Sequence, residues 1–207
     1  MQQSIDKWEG GLKLTGGTIV PEKSWIYPID FGFEESGKWY YKKAAQINHQ
    51  FTVPDHEGHI CRLETIDSDQ GKETLGVILA PDGNNELEIE KLIEKATTWS
   101  EYVLTGHFTA SEARLALDTI IMRTLSYPLP ALTLTESECS KIMNPVLDVS
   151  LAKTRVSRNF PQAVIHGLKS EKGLGYLNLF WHQGIFNNIW RLMTISQDHS
   201  LGIASSY

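Results

Sequence analysis

The amino-acid sequence predicts an α+β fold in which an N-terminal helix and antiparallel β-hairpins precede a small helical bundle. Three observations predict it. From Trp25 to Leu79, short runs of alternating aromatic and aliphatic residues are separated by turn-forming clusters, the period-two signature of hairpins. Beyond residue 84 the apolar period lengthens to that of helices. Finally, 41% of the 207 residues are hydrophobic and six are tryptophan, enough apolar material for one core or two small packed lobes.

Taken in order, Ile5, Trp8 and Leu12 stand at helical spacing, and the Gly10-Gly11 and Gly16-Gly17 pairs are expected to stop that helix. Trp25, Tyr27, Ile29, Phe31 and Phe33 then share one strand face, and Glu34-Glu35-Ser36-Gly37 turns the chain into Trp39-Tyr40-Tyr41. A second hairpin is expected around Asp55-His56-Glu57-Gly58, between Phe51 and Val53 on one side and Ile60 and Leu63 on the other. Leu75 to Leu79, closed by Pro81-Asp82-Gly83, reads as a buried strand.

Three capping boxes follow, Asn85 with Glu88, Thr109 with Glu112 and Thr135 with Glu138, each able to satisfy two orphan N–H groups at a helix start. The first helix buries Ile89, Leu92, Ile93, Ala96, Trp99 and Val103. The second buries Ala113, Ala116, Leu117, Ile120, Ile121 and Leu125 and ends at Tyr127-Pro128, and the third runs through Ile142 and Met143 towards Leu147. Asn178 caps a last helix through Phe180, Ile185, Ile189, Leu192 and Met193.

Two cysteines, Cys61 and Cys139, are too few for a disulfide framework or a cysteine-rich zinc site, which points to a reducing, intracellular setting, cytoplasmic or nuclear. No stretch approaches 18 uninterrupted apolar residues, so no membrane partner is expected. The net charge of −6 opposes nucleic-acid binding as a bulk property, yet it is unevenly placed. Residues 44–108 carry four cations against twelve anions, whereas residues 150–172 hold Lys153, Arg155, Arg158, Lys169 and Lys172 against Glu171 alone. That strip could follow a phosphate backbone or serve as a solvated face.

Two-metal chemistry needs carboxylates held a few ångströms apart, and Asp67-Ser68-Asp69 is the nearest local candidate; Asp6, Asp30, Asp148 and Asp198 are scattered. His56, His59 and Cys61 flank one turn and could offer zinc an incomplete ligand set. A small metal-dependent hydrolase would have to use Asp67, Asp69, His56 or His59. His107, His166 and His182 are isolated, and no nucleophile elbow or phosphate loop is present. The aromatic hairpin could stack on bases if its rings are exposed.

Four motifs in order carry a family resemblance. Trp8-Glu9-Gly10-Gly11-Leu12-Lys13-Leu14-Thr15-Gly16-Gly17 with Pro21-Glu22-Lys23-Ser24, the hairpin from Ile29-Asp30-Phe31 to Gly37-Lys38-Trp39-Tyr40-Tyr41, the strand Glu73-Thr74-Leu75-Gly76-Val77, and Lys172-Gly173-Leu174-Gly175 with Leu177-Asn178-Leu179 together resemble the downstream part of non-LTR retrotransposon reverse transcriptases. The resemblance implies that residues 1–84 form the end of the palm, with a hairpin insertion and a primer-grip-like strand, and that residues 85–207 form a helical, thumb-like domain. It implies Lys23 near an incoming nucleotide, Leu75 and Gly76 at a primer terminus, and Lys153, Arg155, Arg158, Lys169 and Lys172 on nucleic-acid phosphates.

The family's Tyr-x-Asp-Asp segment is expected upstream of Met1, and no adjacent Asp pair occurs in these residues. The chain is therefore expected to be a polymerase fragment, inactive alone, that helps position an RNA/DNA template–primer duplex. It would need the missing palm and fingers segment, and the complete polymerase would use Mg²⁺, with no cofactor in this chain. The alternative is a non-enzymatic interaction module descended from such a polymerase.

Overall fold

A computed structural model describes residues 2–47, 50–55, 57–189 and 192. His56, Met193 and Asp198 lie outside the described residues. The chain is of mixed α+β class and divides into two compact units, Met1–Lys72 with Ala80–Asn84, and Glu73–Leu79 with Asn85–Tyr207.

The first unit opens with helix α1 (Gln2–Leu14), which runs straight through Gly10 and Gly11 instead of stopping there. Its end is set by the second glycine pair: Gly16 has φ of +79°, its N–H bonds the Lys13 carbonyl, and the Gly17 N–H bonds that of Leu12, the Schellman arrangement. One glycine pair costs helix propensity in an exposed stretch, and the other supplies the left-handed residue that ends it.

Small strand pairs follow. β2 (Phe31–Phe33) and β3 (Trp39–Tyr41) are antiparallel, as are β4 (Thr52–Pro54) and β5 (Ile60–Arg62). β1 (Trp25–Ile26) pairs in parallel with β6 (Glu64–Thr65), an association between distant segments that a reading of local hairpins does not contain. The period-two run from Trp25 to Phe33 is not one strand. It breaks at the buried Pro28, which lacks a ladder donor.

Phe51, Val53 and Leu63 form the small buried core of this unit, flanked by Ile5, Ile19 and Ile26. Cross-strand register puts Phe31 opposite Tyr41 and Phe33 opposite Trp39, so these four rings share one hairpin face. Phe33 is 74% and Trp39 54% exposed, so this face is not core.

The second unit begins with a tight hairpin, β7 (Lys72–Thr74) and β8 (Val77–Leu79), in place of one buried strand. Helix α2 (Glu86–Thr105) packs along α5 (Glu136–Lys153), with Leu92 and Ala96 in a core that includes Ile142, Val146 and Leu151, and Val103 is buried further along α2. Each fully buried leucine or isoleucine contributes about 1.5–3 kcal/mol.

The second predicted helix is three segments: α3 (Ala110–Ala116), a π-helical turn (Leu117–Ile121) and α4 (Met122–Ser126). The extra residue of the π turn advances the helix phase. Leu117, Ile121, Met122 and Leu125 therefore face the core, while Ile120, expected inside, is exposed. After α5 come α6 (Gln162–His166) and a helical stretch over 179–189. The Gln183 amide anchors that stretch, exchanging two 3.0 Å bonds with the Leu134 backbone.

Of the three capping boxes, those at Thr109/Glu112 and Thr135/Glu138 form. Asn85 makes no cap bond, and Glu88 is diverted to the β8 backbone. Among the described residues no helix is long and apolar enough to cross a membrane.

Candidate functional site

The two residues joining β7 to β8 are Leu75 and Gly76, with φ of +52° and +85°. Positive φ at both positions is the type I′ geometry that suits the twist of a two-residue hairpin and that asparagine or glycine adopts cheaply. Leucine does not. Its Cβ meets the following carbonyl in this region at a cost of about 1–2 kcal/mol. Leu75 is nevertheless 87% exposed, so core packing does not compensate the strain.

Polar contacts from the helices hold the tip. The Tyr127 hydroxyl at the end of α4 donates to the Leu75 carbonyl at 2.8 Å. The Lys91 ammonium on α2 donates to the Gly76 carbonyl at 2.8 Å and to Glu73 at 2.9 Å, which holds the Glu73 carboxyl below its usual range. Glu88, 1% exposed, accepts the Ile78 N–H at 2.7 Å and lies 3.7 Å from Lys91. Val77 is drawn into the helical core. The hairpin thus presents an apolar knob on a rigid stem.

The five cations of the 150–172 strip are put to different uses. Lys153 donates to the Leu104 and Gly106 carbonyls at 3.2 and 3.0 Å, capping the C-terminal end of α2. Arg158 pairs with Asp148 at 3.3 Å. Arg155, with φ of +60°, and Lys169 and Lys172 are exposed and form no ion pair among the described residues. Lys23 is exposed in the 3₁₀ turn Pro21–Lys23 of the first unit and also lacks an ion-pair partner among the described residues.

The carboxylate and histidine candidates are committed elsewhere. Lys43 sits 2.7 Å from Asp69 and 3.6 Å from Asp67, and Asp67 also accepts the Ala44 N–H at 2.6 Å. The bond from Lys43 lowers the Asp69 pKa, and the same bond raises that of Lys43. An ammonium occupies the position between these carboxylates, so the pair does not fit a divalent ion such as Mg²⁺.

Asp55, Glu57 and His59 converge in the β4–β5 turn, with ligand atoms within 4.8 Å of one another, and among the described residues Cys61 does not join them. Asp55 is occupied by the loop itself, one oxygen accepting the Glu57 and His59 N–H groups at 2.9 and 2.8 Å. Desolvation pushes its pKa up, but these bonds outweigh it and the carboxyl stays below its usual range.

Arg114 organises the Gly173-Leu174-Gly175 turn, although neither its spacing nor its neighbours single it out in the sequence. Its guanidinium donates to the Leu174 and Gly175 carbonyls at 3.0 and 2.7 Å, pairs with Asp118 at 2.9 Å and lies 4.0 Å from the Tyr176 ring centroid. The turn needs both glycines. A Cβ on Gly173 would meet the Gly167 carbonyl at 2.3 Å, and Gly175 has φ of +64°. Compared with protein-family models, curated proteins and solved structures, the chain matches none.

Proposed function

We propose that this chain is a fragment of a retroelement RNA-directed DNA polymerase that helps position a template–primer duplex and does not synthesise DNA alone. What supports the reading is the Leu75-Gly76 tip. An exposed leucine held in a left-handed conformation by Tyr127 and Lys91 is a costly feature that core packing does not explain, and strain of this kind concentrates at contact sites. In the family that the sequence resembles, this is the place of the primer grip. Arg155, Lys169 and Lys172 supply free positive charge in the same unit. The catalytic carboxylates of such a polymerase, with the Mg²⁺ that they would hold, belong to its palm and fingers and not to these residues.

The test is fluorescence anisotropy with an RNA/DNA hybrid carrying a recessed 3′ end. Binding should weaken as salt rises, with a log–log slope of roughly −2 to −3 for three phosphate contacts. Arg155→Glu with Lys172→Glu should flatten that slope. Robust primer extension by the purified chain in Mg²⁺ or Mn²⁺ would contradict the assignment of an inactive fragment.

A second reading, a non-enzymatic protein-interaction module, is favoured by the exposed rings of Phe31, Phe33 and Trp39 on one hairpin face and by the acidic 44–108 segment. Hybrid binding that is absent, or indifferent to salt, supports it over the first.

A further inference from the structure

The helical unit contains a groove of about 660 Å³ between the α4 end, the Gly175 turn and the 179–189 helix; of its lining the polymerase reading uses Lys169 and the Tyr127 hydroxyl, and leaves Arg123, Phe186 and the apolar floor without a role. Its floor is apolar, with Met122, Leu177 and Phe186 contributing. Arg123 and Lys169 line it, both exposed and neither in an ion pair among the described residues. The acid at its edge, Asp118, is neutralised by Arg114 at 2.9 Å. The groove therefore carries an uncompensated positive charge over an apolar base, complementary to an anion attached to a flat apolar body.

Two aromatic rings bracket this space and are held in place before any ligand arrives. Tyr127 has its hydroxyl tied to the Leu75 carbonyl at 2.8 Å while its ring remains exposed. Phe186 is braced edge-on by His182, with centroids 4.6 Å apart at 76°. Burial lowers the His182 pKa, so at neutral pH the imidazole is an uncharged hydrogen-bonding group that adds no cation to the groove. The Lys169 side chain lies over Gly175, where a Cβ would come within 2.9 Å of its Cγ. Rings fixed in advance lower the entropic cost of stacking a ligand.

We infer that this groove binds a nucleoside monophosphate group, its phosphate on Arg123 and Lys169 and its base against the Tyr127 and Phe186 rings. The group could belong to a free nucleotide or to the 5′-phosphorylated end of a strand. The inference stands on the groove alone and survives a failure of duplex binding.

The experiment is an NMR titration of ¹⁵N-labelled full chain with AMP, UMP, ribose 5-phosphate and inorganic phosphate. AMP should shift the amides of Tyr127, Gly175 and His182. Ribose 5-phosphate should bind about tenfold or more weakly, because it lacks the stacking base. Arg123→Glu and Lys169→Glu, both at exposed positions, should each weaken AMP binding about tenfold or more while leaving the circular dichroism spectrum unchanged. A 5′-phosphorylated tetranucleotide separates the sources. Tighter binding than AMP, sensitive to the same two substitutions, assigns the groove to a strand end; weaker binding assigns it to a free nucleotide. The inference is overturned by equal affinity for AMP and ribose 5-phosphate, by charge reversals that change nothing, or by an absence of shifts at millimolar AMP.

Discussion

Replacing Leu75 by asparagine should stabilise the protein and weaken its grip on a template–primer duplex at the same time. The stability term follows from the turn. Leu75 has φ of +52°, a region that costs a residue with an ordinary Cβ about 1–2 kcal/mol, whereas Asn-Gly is the preferred pair for this geometry. Little is lost in return. The side chain is 87% exposed, so the burial forfeited is about 0.3 kcal/mol, and the Tyr127 bond goes to the backbone carbonyl that asparagine retains. The net gain is about 1 kcal/mol, or about 2–4 °C in Tm for a chain of this size. Urea and thermal unfolding followed by circular dichroism measure it. Duplex affinity should fall about three- to tenfold if half of the leucine is buried against the primer end. A destabilised Leu75→Asn variant refutes the strain argument. A stabilised variant with unchanged duplex affinity removes the tip from the binding surface.

Lys91→Met keeps the stem but removes the bonds to Gly76 and Glu73 and leaves the buried Glu88, among the described residues, with the Ile78 N–H alone, so urea unfolding should show a loss of about 2 kcal/mol. Thr135→Ala should cost about 1 kcal/mol, whereas Asn85→Ala, which removes no cap bond but only the long 3.2 Å bond from its side-chain amide to the Thr133 carbonyl, should cost about 0.5 kcal/mol. Backbone and side-chain bonds from Thr109 and Thr135 hold Glu112 and Glu138 below their ordinary value of 4.5. Their contribution is thus complete above that value and is lost as pH falls through the lowered folded-state value, so the Thr135→Ala deficit should shrink in acid melts. Burial pushes the Cys139 thiol up to about 11, so a thiol reagent at neutral pH should label Cys61 in the native protein and reach Cys139 only in denaturant.

Helix existence was legible because it depends on local pattern. Leu92, Ala96 and Val103 recur at the helical period, and two Thr-x-x-Glu boxes mark helix starts where they form. The failures came from interactions beyond that range. Glu88 has the right spacing from Asn85, but the Ile78 N–H of a neighbouring strand competes for it and wins. Ile120 is placed inside by a constant 3.6 period, and one π turn rotates it out. The pattern places Leu75 at the start of a buried strand because Leu-Gly-Val-Ile-Leu is a nearly continuous apolar run. Gly76 is the one mark of the two-residue turn within that run, and the leucine before it, a poor turn former, masks it.

The candidate site was harder to read for a further reason: a charged side chain does not announce its partner. Lys153, Arg155, Arg158, Lys169 and Lys172 are equivalent in composition, yet Lys153 closes α2, Arg158 answers Asp148, and only the other three remain available to a polyanion. The same ambiguity works in reverse for Arg114 and Lys91, which lie outside the basic strip and position the Gly175 turn and the Leu75 tip. Under the proposed function, a charge reversal at Lys153 would therefore mix lost binding with an uncapped helix, whereas reversals at Arg155 and Lys172 would test phosphate contact without disturbing that cap. Equal salt slopes for the Lys153→Glu and Lys172→Glu variants, with equal stability, would show that the cap contributes nothing and that the strip acts as one face.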